Sequence, residues 1–408
     1  MKINKYIQIL TCFFAFLPLT SLFGQKIYID ENISYWYSVT NELHINHNVF
    51  FDNDSAHILM EFTFNGDGKI DDYFFITELQ GSYHELNVLK LDTINIEDFI
   101  ISIKANKIYT YFNLSNSDKT DLAIVRVVNK KTGIDYVYDI PFIKDFNFST
   151  DGLAFYDEDG ITPVLSSFIN RQQTIQIKNL ANFTGQVYGF FYATPFEEAV
   201  PPMIIENKPV AKNLSIDSVF VLNTNEPFSL INEGLYFFQK DSSTANGIGI
   251  RVQDPYFPLV KTMDKILEPL IYISTRSETE AIRSAPNPRE AFEQYWINLV
   301  KIPSLATSTV REYYNRAESA NYLFTNFKEG WKSDMGLIYI IYGPPNDVYK
   351  SEEIIDWVYN RDLSIPTVRF SFYKVKNVFT DQHYTLLRKK TYDKNWFKSV
   401  ELWREGKK

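Results

Sequence analysis

The 408 residues include a single cysteine, Cys12, and it lies inside an apolar run at the N-terminus. If that segment is removed on export, no thiol remains. Disulfides, thiolate metal sites and cysteine nucleophiles are then excluded together. Glycine (16) and proline (17) are scarce, so collagen-like and low-complexity architectures are excluded. Positive charge is not in surplus either: 41 Lys and Arg face 50 Asp and Glu, a net −9. Nothing global recruits nucleic acid or an anionic membrane surface. After residue 24 no apolar run is long enough to span a bilayer as a helix. Gly-x-Ser-x-Gly, His-Glu-x-x-His and phosphate-loop motifs are absent, and no cofactor or metal is expected.

What is abundant is aromatic: 33 Phe, 27 Tyr and 6 Trp, 16% of the chain, beside 45% hydrophobic residues overall. Flat rings and few glycines favour β-sheet. Residues 1–24 resemble a secretory signal, with Lys2 and Lys5 ahead of apolar Ile7–Phe16, a break at Pro18, and Leu22 and Gly24 before a cleavage at Gln25. The other reading is an uncleaved anchor. Cys12 is misplaced for a lipoprotein signal. Cleavage leaves 39 basic against 50 acidic residues, a charge of −11. An exported chain without disulfides fits a bacterial envelope, either periplasm or cell surface.

From Gln25 to about Thr150 short strands recur: Tyr28–Asp30, Trp36–Val39, Asn48–Phe51, Ile58–Phe64, Tyr73–Glu78, Leu86–Leu91, Phe99–Ile103, Tyr109–Leu114, Leu122–Asn129 and Asp135–Ile140. Alternation puts Met60, Phe62 and Phe64 on one face, and Lys130-Lys131-Thr132-Gly133 links two runs as a hairpin would. A second β block covers 151–275, with strands at Thr174–Lys178, Gln186–Ala193, Val219–Leu222, Gly234–Lys240, Ile248–Val252 and Leu270–Ser274. The expectation is two tandem antiparallel, Ig-like β-sandwiches, 25–150 and 151–275. From 276 to 408 the pattern becomes α+β. Helices are expected at Ala291–Val300, Thr309–Phe327 and Trp396–Glu405, with strands at Leu337–Tyr342, Asp356–Tyr359, Val368–Lys374 and His383–Leu387.

The stretch Gly330-Trp331-Lys332-Ser333-Asp334-Met335-Gly336, running on to Gly343-Pro344-Pro345, resembles the signature of the GWxTD-domain family. The similarity extends to Tyr295-Trp296, to Tyr313, Tyr314 and Arg316, to Ala320-Asn321 and Phe324, to Trp357 and Tyr359, and to Trp403, Arg404 and Gly406. It is strong over Leu267–Gly406 and architectural elsewhere. Ser333 stands where the family has Thr, which keeps a hydroxyl, and Met335 where Arg is common. The resemblance implies an exported multi-domain protein of Bacteroidetes-type bacteria, with no enzyme activity attached.

Physically, the motif reads first as structure. Gly330 can take unusual backbone angles, Trp331 buries its ring, and Ser333 and Asp334 can shape a turn. Gly336 then admits the chain into a buried strand, which Gly343-Pro344-Pro345 ends. The functional reading makes Trp331, Ser333, Asp334, Arg316, Trp357 and Tyr359 the rim of a groove for a peptide or glycan.

Weaker constellations remain. Asn65-Gly66-Asp67-Gly68-Lys69-Ile70-Asp71 has the core of a calcium loop, but Thr63 and Phe74 occupy places that need acids, so a hairpin turn is the better reading. His44, His47 and His57, near Asp52 and Asp54, do not converge if residues three apart face opposite sides of a strand. His383 reads as packed or on the surface. Acid pairs at Asp71-Asp72, Glu197-Glu198 and Glu352-Glu353 suit solvated faces as well as they suit a glycosidase. Thr385–Lys408 has eight cations against three acids, suiting a solvated helix face or an acidic partner. The functional expectation is a non-enzymatic envelope interaction or scaffold protein that binds a protein partner through its Trp-rich C-terminal domain. An envelope hydrolase using a carboxylate pair on glycan or peptide is the second reading. A ligand-binding accessory to outer-membrane transport is the third.

Overall fold

The computed structural model describes residues 31–51, 55–82, 85–115, 122–141, 150–181, 183–205, 214–360 and 366–408. The expected leader, the strand Tyr28–Asp30, and Asp52 and Asp54 lie outside the described residues. Among those described, no helix is long and apolar enough to cross a membrane.

Eight strands build the first module: β1 (Leu43–Phe51), β2 (Ser55–Phe64), β3 (Tyr73–Ser82), β4 (Glu85–Ile94), β5 (Ile100–Lys104), β6 (Lys107–Ser115), β7 (Leu122–Asn129) and β8 (Asp135–Pro141). They form two antiparallel four-stranded sheets, β1-β2-β6-β5 and β4-β3-β7-β8. Period-2 alternation gives each sheet one apolar face. Met60, Phe62 and Phe64 of the first sheet share a core with Phe75, Val125 and Val127 of the second, as the alternation predicts. Gly133, at a φ of +71°, closes the β7–β8 hairpin. The Asn65–Asp71 loop is not a hairpin. Its flanking strands β2 and β3 belong to different sheets, so it is a crossover, and the Asn65 amide donates to the Asn41 carbonyl at 2.6 Å.

The second module has β9 (Leu153–Asp157), β10 (Phe168–Asn170), β11 (Thr174–Asn179), β12 (Gln186–Tyr192), β13 (Ser218–Asn223), β14 (Phe228–Ser229), β15 (Gly234–Gln239) and β16 (Ile248–Gln253). A five-stranded sheet, β10-β16-β15-β12-β13, faces a three-stranded one, β14-β11-β9. Ile175 and Ile177 of the small sheet meet Phe238, Ile250 and Val252 of the large one in its core. One pairing departs from the antiparallel expectation: β10 runs parallel to β16.

The C-terminal domain contains α1 (Met263–Leu267), α2 (Arg276–Arg283), α3 (Pro288–Val300), α4 (Pro303–Phe324), α5 (Asp334–Tyr342), an antiparallel sheet β17 (Asp347–Lys350), β18 (Ile354–Tyr359), β19 (Val368–Lys374) and β20 (Tyr384–Leu386), and α6 (Asp393–Arg404). Asn287 accepts a bond from the Glu290 amide and Pro288 takes the first helical position, so α3 begins where its caps place it.

Three expected strands are not strands. Leu337–Tyr342 lies in helix α5, whose residues Met335–Tyr342 are all buried. A helix apolar on every side is wholly enclosed, and a short β-branched run cannot be told from a strand by period alone. Gly336 therefore enters a helix, and Gly343 ends one, taking a φ of +83° at its C-terminus. Leu270–Ser274 overlaps a 3-10 turn, Pro269–Tyr272, packed in the C-terminal core. Trp36–Val39 overlaps another, Ser34–Tyr37. That N-terminal segment does not join the first sandwich as a strand. Ile33 donates to the Val348 carbonyl at 3.2 Å, and Ile33 and Tyr37 are buried in the core of the C-terminal domain. Trp36, beside them, donates from its ring to the Val137 carbonyl of β8 at 3.0 Å. Residues 33–37 thus tie the first sandwich to the last domain.

Candidate functional site

The motif is assembled from the end of α4. Thr325 Oγ1 donates to the Asn321 carbonyl at 2.6 Å and accepts the Gly330 amide at 2.9 Å. Asn321 Oδ1 accepts the Trp331 amide at 3.2 Å, and its Nδ2 donates to the Pro258 carbonyl. These bonds press residues 330–332 onto α4. A Cβ at Gly330 would lie 1.9 Å from the Ala320 oxygen, and one at Gly336 would lie 1.9 Å from the Gly330 oxygen. Both glycines are there because backbone meets backbone. Ser333 caps α5: its Oγ accepts the Gly336 amide at 2.9 Å and donates to the Gly330 carbonyl at 2.7 Å. This is a bond that a threonine hydroxyl would also make.

Asp334, in the first turn of α5, accepts from Arg388 Nη2 at 2.6 Å and from the Leu386 amide at 2.8 Å. A carboxylate is favoured at that end of the helix. Arg388 Nη2 also donates to the Val200 carbonyl, in the loop after β12. In the same loop the Ala199 amide donates to the Lys332 carbonyl at 2.9 Å.

Arg316 sits at the opposite end of α5. Its guanidinium lies 4.9 Å from the Trp403 ring, pairs with Glu312 at 2.7 Å and reaches the Ile341 carbonyl at 3.4 Å. Tyr359 donates to the Gly343 carbonyl at 2.9 Å, also at this end. Trp357 lies on the flank, its ring 4.7 Å from Tyr37. The six candidate groove residues therefore do not converge. Five of them frame the two ends of a helix about 13 Å long, and Trp357 lies along its flank. Trp296, Trp331, Trp357, Trp396 and Trp403 are each at most 3% exposed. The tryptophans of this domain are core, and the Met335 side chain joins them there.

Charged side chains that the sequence reading did not single out complete the picture. Arg251 of β16 meets Glu329 at 3.0 Å, and Lys332 lies 3.4 Å from the same carboxylate. Burial alone would raise the Glu329 carboxyl; Arg251 and Lys332 hold it below the usual range. Lys350 of β17 meets Asp139 of β8 at 2.6 Å, and burial pushes its ammonium pKa down. A cation within the apolar stretch Ile248-Gly-Ile-Arg251-Val is the one local sign of a buried charge here, and it does not name the partner.

Among the described residues no three His, Cys, Asp or Glu converge as metal ligands. His57 Nδ1 is bonded to the Tyr111 hydroxyl at 2.6 Å, whereas His44 and His47 both border a cavity of about 570 Å³ at the junction of the three modules. They do so from opposite faces because β1 is an edge strand. Ser333 and Met335 border the same cavity.

Residues 234–405 match the model of the GWxTD domain. The match begins at the first residue of β15, so it takes in the last two strands of the second sandwich and includes both Arg251 and Glu329. No curated protein matches the chain.

Proposed function

We propose, with a GWxTD domain over residues 234–405 as the premise, that this protein is an exported, non-enzymatic scaffold of a bacterial cell envelope. It holds two β modules in fixed relation and engages a protein partner through its C-terminal domain. The observation that carries this reading is where the motif spends its polar groups. Glu329 holds Arg251 of the second sandwich, and Asp334 holds Arg388, which reaches Val200. On the other side Lys350 holds Asp139 of the first sandwich. Buried ion pairs add little net stability, and their best use is to select one arrangement over others.

Strand order supports Ig-like modules. Lettered in sequence with C′ as the fourth strand, the first sandwich reads A-B-E-D against C′-C-F-G. The partner surface is proposed on α6, where Phe397 is 62% exposed beside exposed Lys394 and Lys398. The basic balance of residues 385–408 suits an acidic partner. The hydrolase reading has less support, because the cavity carboxylates Glu61 and Asp157 are each held by a lysine.

The test is photocrosslinking in intact cells from position 397, read by mass spectrometry, with N-terminal sequencing of the envelope fraction. One dominant protein adduct, weakened at high salt, and a mature chain starting at Gln25 support the reading. Recovery of glycan alone, or no adduct, overturns it.

A further inference from the structure

The cavity at the three-module junction is about 570 Å³, within the range of roughly 300–1,000 Å³ usual for small-ligand sites. Its walls come from all three modules. The outer face of β1, β2 and β6 contributes Asn46, Glu61 and Tyr109, the second sandwich contributes the segment 162–170, and the C-terminal domain contributes the end of α4 and the α5 cap.

The charges in these walls are already matched. Lys104 lies 2.6 Å from Asp157 and 2.8 Å from Asp159. Lys107 lies 3.0 Å from Glu61, and Lys350 lies 2.6 Å from Asp139. A charged ligand would have to compete with these pairs and would leave one partner of each without its counterion. A neutral ligand has no such cost.

What remains is a set of rings beside amides and hydroxyls. Tyr322 on α4 borders the cavity and is 40% exposed. The amides of Gln173 and Gln382 and the hydroxyl of Thr380 lie in the same walls, beside the Asn46 amide, whose nitrogen donates to Glu61 at 3.2 Å. Sugar hydroxyls donate and accept through one atom, so they pair with amides in either orientation, while the C–H face of a pyranose packs on an aromatic ring. An extended peptide would pair its backbone along a strand edge, and the edge strands β1 and β10 do border the cavity, so peptides are the competing outcome of the test. The side-chain amides and hydroxyls come from separate points on three modules, which suits the spread hydroxyls of a sugar.

We infer that the three-module cavity binds a neutral oligosaccharide, laid against Tyr322 and held by the amides around it. The inference stands apart from the partner surface on α6, and either can fail alone.

The test uses the purified full chain on a printed array of neutral and acidic oligosaccharides and short peptides, followed by calorimetric titration with the strongest neutral binder. The expected result is a neutral oligosaccharide binding with a Kd below about 1 mM. Its affinity should change by less than about twofold between low and high salt. Tyr322→Ala and Gln382→Ala should each weaken it about tenfold with the melting temperature unchanged. Three results overturn the inference: no neutral sugar binding, tighter binding of acidic sugars or peptides, or unchanged affinity in both variants.

Discussion

Glu329, the residue before Gly330, lies 3.0 Å from Arg251 on β16, with the two side chains only 10% and 6% exposed. The ion pair joins a strand of the second sandwich to the turn that starts the motif. Arg251 also donates to the Phe327 carbonyl at 2.8 Å, so its guanidinium is committed to the C-terminal domain on two sides.

Breaking this pair from one side should be costly. Glu329→Gln leaves a buried guanidinium without its counterion, and a loss of about 3–5 kcal/mol is expected in chemical denaturation. The triple replacement Arg251→Met, Glu329→Leu and Lys332→Met removes the whole buried charge cluster and should stay within about 2 kcal/mol of the parent. A single-variant cost below about 1 kcal/mol would mean that the pair does not hold the modules.

Two glycines should behave in opposite ways. Gly330→Ala places a methyl 1.9 Å from the Ala320 oxygen. Backbone cannot yield as a flexible side chain can, so a loss above about 4 kcal/mol, or no folded protein, is expected. Gly66→Ala meets nothing within 4 Å and carries only the strain of a φ of +80°, which costs about 1 kcal/mol. Thermal melts of the two variants check the contrast.

His383 should make the fold sensitive to mild acid. Burial lowers its pKa to about 4, with Lys328 adding to the effect, and Phe327 packs edge-on at 4.9 Å. Unfolded, the imidazole takes up a proton near pH 6.5; folded, it resists until about 4. The unfolded state thus binds more protons between those values, and stability falls as pH falls through that window. Urea denaturation should show His383→Gln losing about 1–2 kcal/mol less than the parent on going from neutral pH to pH about 4.5, after allowance for the partial exposure of the ring. Equal losses would mean that His383 is not the titrating group.

The N-terminal segment should report on the other end of the chain. Ile33 is fully buried among C-terminal core residues. Ile33→Ala is expected to cost about 2–4 kcal/mol, and the loss should appear in tryptophan fluorescence, since five of the six tryptophans lie in that domain. A variant whose tryptophan signal melts as in the parent would place Ile33 outside that core.

Much of the architecture was legible because strands and helices have different periods. Alternation in β2 and β7 and the i, i+4 spacing in α3 locate those elements within a few residues, whereas α4, expected from Thr309, begins six residues earlier at Pro303. The misreading of α5 has a plain cause. Leu337-Ile-Tyr-Ile-Ile-Tyr342 is apolar at every position, so it carries no period, and burial on all sides suits a central strand as well as an enclosed helix. Ser333 and Gly343, nine residues of helix apart, were the available signal, since a hydroxyl at the N-cap and a glycine at the end bracket a helix.

The sequence by itself determined the β-rich modules, the C-terminal α+β domain and the place of the GWxTD motif, because each rests on local periodicity or on contiguous residues. Only the tertiary structure decided that the tryptophans are core and not a groove, that residues 33–37 dock on a domain 300 positions away, and that Arg251, Asp139 and Val200 are the partners of the motif and its neighbours. Those facts depend on which faces meet between modules. Pairing across an interface leaves no periodic trace in either strand that takes part.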